Sequence, residues 1–273
     1  MKLIYKNLGE TPLEALEKLR QSEPALKEET LSYIGRLDPM AEGEMIVLVG
    51  KEENQKRDEY LNFDKEYMAE FLIGFATDTG DLLGLVQKTS NEKISTDFLN
   101  NEILSLDSWQ NLSEKISTLP EKLLQIIEQK FPWFSSKHVF GRALFDWFKA
   151  GQQEEIERPS KQIKIYSAEL IKSAENIFFR KITAGELQNY LTQNINKVKG
   201  DFRQSEILER WQGILQTADS PTTNFPISEF LIFTLKLKVS TGTYIRGLTE
   251  EIEKEIGQPV VLFSLKRSKI HLN

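Results

Sequence analysis

From Phe230 to Val239 an apolar side chain falls on every second residue: Leu231, Phe233, Leu235, Leu237 and Val239. Successive side chains of a strand point to opposite faces, so this spacing specifies a strand with one buried face and excludes a helix. Other segments can stand beside it. Residues 45–49 form a short apolar run, 67–75 and 260–263 read as buried strands, 163–166 alternate and continue toward Leu170, and 178–182 give one more. Helical patterns lie between them. Thr11-Pro12-Leu13-Glu14 opens a helix with a cap, a proline in the first turn and an acid, and Leu13, Leu16 and Leu19 give it an apolar stripe.

Residues 91–130 are polar with helical period. The groupings Leu112/Ile116 and Leu123/Ile126/Ile127 predict two amphipathic helices parted near Pro120. Phe131-Pro132-Trp133-Phe134 interrupts them, and 142–149 predict a helix ending at Gly151. Residues 185–216 are again helical, and 243–255 predict a helix stopped near Gly257 and Pro259. The charged stretch 52–58 reads as a loop or exposed turn, and 219–226, with two prolines, as a loop. Strands and helices are mixed without strict β-α-β alternation. The expected class is α+β: a mixed, largely antiparallel sheet flanked by helices, in one domain over residues 1–273.

One loop stands out chemically. Gly35-Arg36-Leu37-Asp38-Pro39-Met40-Ala41-Glu42-Gly43 runs directly into the apolar strand 45–49. The glycines permit backbone angles other residues avoid, and Pro39 restricts itself and Asp38. A stiff loop then holds one carboxylate in a fixed direction, a setting in which catalytic groups are found. Read alone, Asp38-Pro39 is more simply an ordinary turn start.

The absence of cysteine excludes disulfides, thiolate zinc sites and a cysteine nucleophile. No stretch approaches the length of a membrane span and the first six residues lack a signal-peptide core, so a cytoplasmic protein is expected, with no membrane partner. A net charge of −6 argues mildly against nucleic acid. Locally, however, Lys266, Arg267 and Lys269 occur with no acid from residue 260 to 273, which predicts a basic surface at the tail.

Four separated segments together resemble the TruB family of pseudouridine synthases, which isomerise a uridine in the T-loop of transfer RNA, uridine-55. The Gly35–Gly43 loop is similar to that family's G-x-L-D-P-x-A-x-G motif. Lys65-Glu66-Tyr67 with Gly74, and Thr77-Asp78-Thr79-Gly80-Asp81 with Gly84, are similar to a second block. Ser135, Gly141, 144–151 and 158–166 match a third, and Ser240-Thr241-Gly242-Thr243-Tyr244-Ile245-Arg246 with Leu265-Lys266-Arg267 a fourth.

The resemblance implies Asp38 as nucleophile, Arg246 as its ionic partner and Tyr244 beside the base, where it assists loss of the C5 proton. It implies Tyr67 as a stacking face, Leu265 as an apolar wall and Asp81 as a polar pocket residue. Tyr33, His138, Lys266 and Arg267 complete the substrate-binding set. Taken without the family, Arg246 reads as a surface charge, Tyr67 and Leu265 as core, and residues 78–81 as a turn. The implied reaction needs no metal and no cofactor. Its partner is tRNA through the T-arm, or another structured RNA, and the protein is expected to be a monomer.

The chain departs from the family pattern in five respects. Tyr33 stands five residues before Asp38 where the family has histidine, Lys6-Asn7-Leu8-Gly9 lacks a proline, and Ser135-Ser136-Lys137-His138 replaces S-A-x-K, leaving His138 or Lys137 as the basic position. Residues 171–230 read as an added helical insertion, and nothing after the Leu265 block leaves room for a small C-terminal RNA-binding domain of PUA type. Two further readings follow from these departures: an RNA-binding descendant without catalysis, and a protein-interaction module using the insertion. The charge of the groove at Asp38 separates them, since a basic groove fits RNA and an acidic or closed one does not.

Overall fold

The structure is a computed structural model and describes residues 1–90, 106–172, 178–218 and 229–272. Strand β1 (Lys2–Lys6) leads into helix α1 (Pro12–Ser22). Thr11 caps α1: its hydroxyl accepts from the Glu14 amide, and the Glu14 carboxylate accepts from the Thr11 amide. The helix buries Pro12, Ala15 and Leu16, while Leu13 is exposed. The buried face therefore follows the 12, 15, 16, 19 spacing, and Leu13 falls off it by one helical step.

Strands β2 (Leu31–Ile34) and β3 (Ala41–Val49) pair antiparallel, so the strand after the Asp38 loop begins four residues earlier than the apolar run. The charged stretch after β3 forms two short helices, α2 (Gly50–Gln55) and α3 (Arg57–Tyr60), where a loop was expected. Glu53 reaches back to accept from the Val49 amide at 2.7 Å, satisfying a donor at the start of α2. Strand β4 (Lys65–Ile73) follows, then the hairpin β5 (Phe75–Thr77) and β6 (Val86–Thr89).

Helix α4 (Leu106–Leu123) carries Pro120 in its last turn instead of breaking there. A proline so near the end removes one hydrogen bond and leaves the rest of the helix intact. The second helix expected beyond it is absent, and the chain forms β7 (Glu128–Lys130). The part of that expectation covering residues 91–105 lies outside the described residues. A small hairpin, β8 (His138–Val139) and β9 (Arg142–Ala143), leads into α5 (Leu144–Lys149), and β10 (Ser160–Gln162) pairs with β7.

Strands β11 (Ile165–Ile171) and β12 (Phe179–Thr183) precede α6 (Ala184–Ile195), capped by Thr183 and Glu186, and α7 (Gln204–Ala218). Residues 171–230 thus contribute a sheet strand as well as two helices, and the loop expected at 219–226 lies outside the described residues. Strand β13 (Glu229–Val239) is followed by a 3-10 turn at Ile245–Gly247, and α8 (Leu248–Ile256) starts later than the sequence suggested. Strand β14 (Val260–Ile270) runs well past residue 263 and absorbs the basic tail.

The main sheet has the order β1-β3-β14-β4-β13-β11, with β2 also on β3 and β12 also on β13. Among its described strands every pairing is antiparallel except β3–β14. This is the α+β, largely antiparallel architecture expected. Strand alternation sorts the core onto two faces. Phe233, Leu235 and Leu237 pack with Leu119 of α4 and Ile252 of α8, while Phe230 and Ile232 pack with Leu191 of α6 and Trp211 of α7. Helices therefore cover both sheet faces, and the loops at one end of β3, β4, β13 and β14 remain free to build a site.

Candidate active site

The Asp38 loop is locked where β3 and β14 run parallel. Gly43 has φ +123°, and a Cβ there would lie 2.1 Å from the Arg267 carbonyl oxygen, so only glycine lets the two strands approach. The Gly9 amide donates to the Pro39 carbonyl at 2.8 Å, and the Ala41 amide to the Asp38 carbonyl at 2.9 Å.

Arg267 clamps the same loop from below. It is 2% exposed and donates from Nη1 to the carbonyls of Gly35 (2.7 Å) and Glu44 (3.1 Å), from Nη2 to that of Arg36 (3.1 Å), and from Nε to the Tyr67 hydroxyl (3.1 Å). The expectation of a basic surface at this tail is thereby corrected for Arg267. Because β14 continues through these residues, alternation sends Arg267 inward and Lys266 outward, where its ammonium lies 5.9 Å from the Tyr5 ring centroid, away from the cavity.

Arg246 meets Asp38 across 208 residues of sequence, its Nε donating to Asp38 Oδ2 at 2.7 Å. Its two other nitrogens donate to the carbonyls of Thr79 (2.8 Å) and Phe134 (2.6 Å), so every guanidinium nitrogen has a fixed partner on a different segment. The Arg246 side chain is 7% exposed and that of Asp38 is 32% exposed, so the carboxylate faces open space and its partner does not. Burial works to raise the Asp38 carboxyl. The charges of Arg246, Arg36 and Lys6, with the Arg246 hydrogen bond, outweigh it and hold the carboxyl below its usual range. Asp38 is therefore ionised at neutral pH.

Asp38 opens into a cavity of about 430 Å³. Tyr33, Tyr67, Tyr244 and Leu265 line it, so the structure brings these four side chains together beside Asp38. Asp38 is the only carboxylate among the described lining residues, against five cationic ones: Arg36, Arg57, Lys65, Arg246 and Arg267. The site is electropositive in a chain of net charge −6.

Each aromatic is held. Tyr67 is 4% exposed, its hydroxyl bonded to Arg267. Gln129 clamps the Tyr244 backbone in both directions, Nε2 donating to its carbonyl (2.8 Å) and Oε1 accepting from its amide (2.9 Å). The Tyr244 ring sits edge-on to Phe131 at 5.8 Å, and burial raises its hydroxyl above the ordinary tyrosine value. Tyr33 stands at the cavity wall with its carbonyl accepting from Arg57 Nη2 at 2.9 Å. A permanent cation thus stands beside a residue that cannot carry one.

Sequence reasoning passed over several groups that complete the site. Lys65 lies in a segment already singled out for Tyr67, and a lysine on the strand beside it was the available signal. It donates to the Phe63 carbonyl (2.6 Å) and the Thr241 hydroxyl (3.3 Å), and burial brings its ammonium down to about 8. Lys6 is fully buried beneath the loop, donates to the Ala41 carbonyl at 2.6 Å and is likewise brought down to about 8 by burial. Gln129 acts on a backbone 115 residues away and left no sequence signal. The Ser135 hydroxyl lines the cavity, is buried and has no hydrogen-bond partner among the described residues.

Besides Lys266, two expected pocket residues lie elsewhere. His138 is exposed on the β8–β9 hairpin and does not line the cavity. Asp81 is buried behind Arg246, its Oδ1 accepting from the Thr79 hydroxyl (2.8 Å) and the Leu83 amide (3.0 Å). Burial is the main reason its carboxyl is pushed up to about 6, with Arg246 opposing and Asp38 adding to the rise.

An acid whose folded value is raised favours the fold while it is protonated. That stabilisation is full below about pH 4 and is lost as pH rises through about 6. Asp81→Asn keeps the accepting oxygen and removes the charge. It is expected to match wild type near pH 4 and to exceed it at pH 8 by on the order of 1–3 kcal/mol in urea unfolding. A stability gap that does not grow with pH would contradict this account of Asp81.

Among the described residues no helix is long and apolar enough to cross a membrane, and no group of three or more His, Asp or Glu side chains is arranged to hold a metal ion. Comparison with known proteins adds the lineage. The tRNA pseudouridine synthase B of Limosilactobacillus reuteri is 32% identical over 170 residues, 62% of this chain and 50% of that protein. The protein of the same name from Lactobacillus johnsonii is 25% identical over 267 residues, 97% of this chain and 66% of the relative. A solved structure described as a Cbf5-Nop10-Gar1 complex aligns with 98% of this chain and 48% of its own at a TM-score of 0.46 and 15% identity. The chain spans about half to two thirds of the length of the curated relatives it matches. Residues 24–187, more than half of the sequence, match the model for the TruB family pseudouridylate synthase N-terminal domain, and the chain belongs to that family.

Proposed function

We propose that this protein is an RNA pseudouridine synthase acting on a uridine of structured RNA, and that its target is the T-loop uridine of tRNA. The observation that carries the reading is the cavity at Asp38: a single ionised carboxylate, ion-paired and facing open space, among five cationic side chains and three tyrosines. An acidic or closed groove would have favoured a protein-interaction role. The family membership and the relatives named tRNA pseudouridine synthase B support the same chemistry and the choice of tRNA.

In this reading the target uridine leaves its stack and enters the cavity, with Tyr67 as its aromatic face and Leu265 as the opposing wall. Asp38 attacks C1′ as the nucleophile and the C1′–N1 bond breaks, its electron pair leaving with N1; the detached base turns, C5 bonds to C1′, and the Asp38–C1′ bond breaks to release the carboxylate. The C5 proton must then leave. Burial keeps the Tyr244 hydroxyl protonated at neutral pH, so Tyr244 serves this step by passing its own proton on as it takes another. Asp38, freed as the C5–C1′ bond forms, is the carboxylate lining the cavity to receive it, and the proton passes on to N1, which left with the electron pair of the broken bond. Arg246 aims Asp38 and keeps it ionised.

The direct test is incubation with an unmodified tRNA transcript followed by detection and mapping of pseudouridine. Product at one T-loop uridine is expected, and tight binding without product would replace the enzyme by an RNA-binding descendant. Arg246→Met should lower turnover by about 10²-fold, through misdirection of Asp38, while changing RNA affinity far less. A pure loss of affinity would remove the ion pair from the mechanism.

A further inference from the structure

The β8–β9 hairpin turns on Phe140-Gly141, with φ +50° and +77°. Two-residue turns with both φ values positive take Asn-Gly or Asp-Gly, because a bulky L residue is sterically disfavoured there. Phe140 gains no packing in return: it is 88% exposed, the most exposed of the large apolar side chains described. The turn thus carries two unfavourable features in one residue, strain and an aromatic ring in water. A strained outlier that contributes nothing to the core points to a role outside it.

The hairpin beneath the ring is rigid. Arg142 donates to Gln152 Oε1 at 2.7 Å and to the Asp146 carbonyl, and its guanidinium lies 4.7 Å from the Trp147 ring centroid. Trp147 Nε1 donates to the Val139 carbonyl at 3.2 Å, and the Leu144 amide to the Lys137 carbonyl at 2.9 Å. His138 is exposed on β8, and Lys137, exposed just before it, has its ammonium 5.3 Å from the Phe131 ring centroid. The segment leaves the Asp38 cavity through Ser135 and Ser136, which line it, only four residues before the ring.

We propose that Phe140 is a stacking residue for an unpaired RNA base next to the nucleotide held in the Asp38 cavity; this rests on the RNA reading above. An exposed aromatic with cationic side chains on the same segment, here Lys137 and Arg142, is the arrangement that binds single-stranded bases, the ring taking the base face and the charges the backbone. The hairpin holds the ring outward before RNA arrives, so little ordering is needed on binding.

The full chain and its variants are compared by thermal melting and by binding to an unmodified tRNA transcript and to a fully paired RNA duplex of similar length. Phe140→Asn restores the favoured turn and should melt about 2–4 °C higher. It should bind the tRNA about 5- to 150-fold more weakly, with duplex binding unchanged. Phe140→Leu keeps an apolar side chain without a π face and should lose affinity in the same way, while Phe140→Trp should retain it. Equal tRNA affinity of wild type, Phe140→Asn and Phe140→Leu would overturn the stacking role, as would an equal loss on the duplex. Wild type that binds neither RNA would overturn it together with the RNA reading, whereas wild type that binds and makes pseudouridine while Phe140→Asn is unaffected would overturn it alone.

Discussion

Asp38→Asn is expected to abolish pseudouridine formation, a fall of at least about 10⁴-fold in turnover, while the protein still folds and binds RNA. The substitution is nearly isosteric, and the asparagine oxygen can still accept from Arg246 Nε, which now stands 2.7 Å from Oδ2. The side chain is one third exposed, so no tightly packed volume is disturbed. Arg246 loses its counter-ion but keeps its bonds to the Thr79 and Phe134 carbonyls, and Asp81 remains behind it. A stability loss of about 1–2 kcal/mol is therefore expected, too small to explain a lost activity. What disappears is the anionic nucleophile, since an amide oxygen in the same place cannot form and release the sugar bond. Pseudouridine assay, thermal melting and RNA binding on one preparation check the three parts together. Product equal to wild type would sink the assignment, and loss of folding in step with product would reduce Asp38 to a structural turn.

That turn reading was reasonable from the loop alone. Residues 35–43 specify a stiff corner, and stiffness does not say what the corner is for. The decisive neighbour, Arg246, is 208 residues away, and only the sheet order, which sets β3 beside β14 and β14 beside β4, brings their ends together. What the sequence did carry was the local part: alternation in 230–239, the Thr11 cap and the motif residues that line the cavity. Errors fell where tertiary structure overrides local pattern. Pro120 sits in a last helical turn that packing against the sheet sustains, and 52–58 became helical once Glu53 bonded to the end of β3. Gln129 was invisible because its work is a pair of bonds to another residue's backbone, which demands no motif.

Arg267→Met should be among the most destabilising substitutions in the chain, costing about 3–5 kcal/mol and lowering the melting temperature by ~10 °C. Methionine fills much of the volume but supplies no donor. The carbonyls of Gly35, Arg36 and Glu44 and the Tyr67 hydroxyl all lose a buried partner at once, at about 1–3 kcal/mol for each left unsatisfied. Three of those groups hold the two ends of the Asp38 loop and the fourth holds the stacking face. The molecules that still fold should therefore show weaker turnover as well, because Asp38 and Tyr67 are no longer aimed from below. The adjacent Lys266 provides the contrast. It lies on the outer side of the same strand, so Lys266→Met should change stability by no more than about 0.5 kcal/mol. Two neighbouring basic residues with opposite outcomes in one melting experiment is what strand alternation requires. If both variants melted with wild type and both weakened RNA binding with a shallower salt dependence, residues 266 and 267 would belong to a basic surface after all, and the clamp beneath the loop would have to be abandoned.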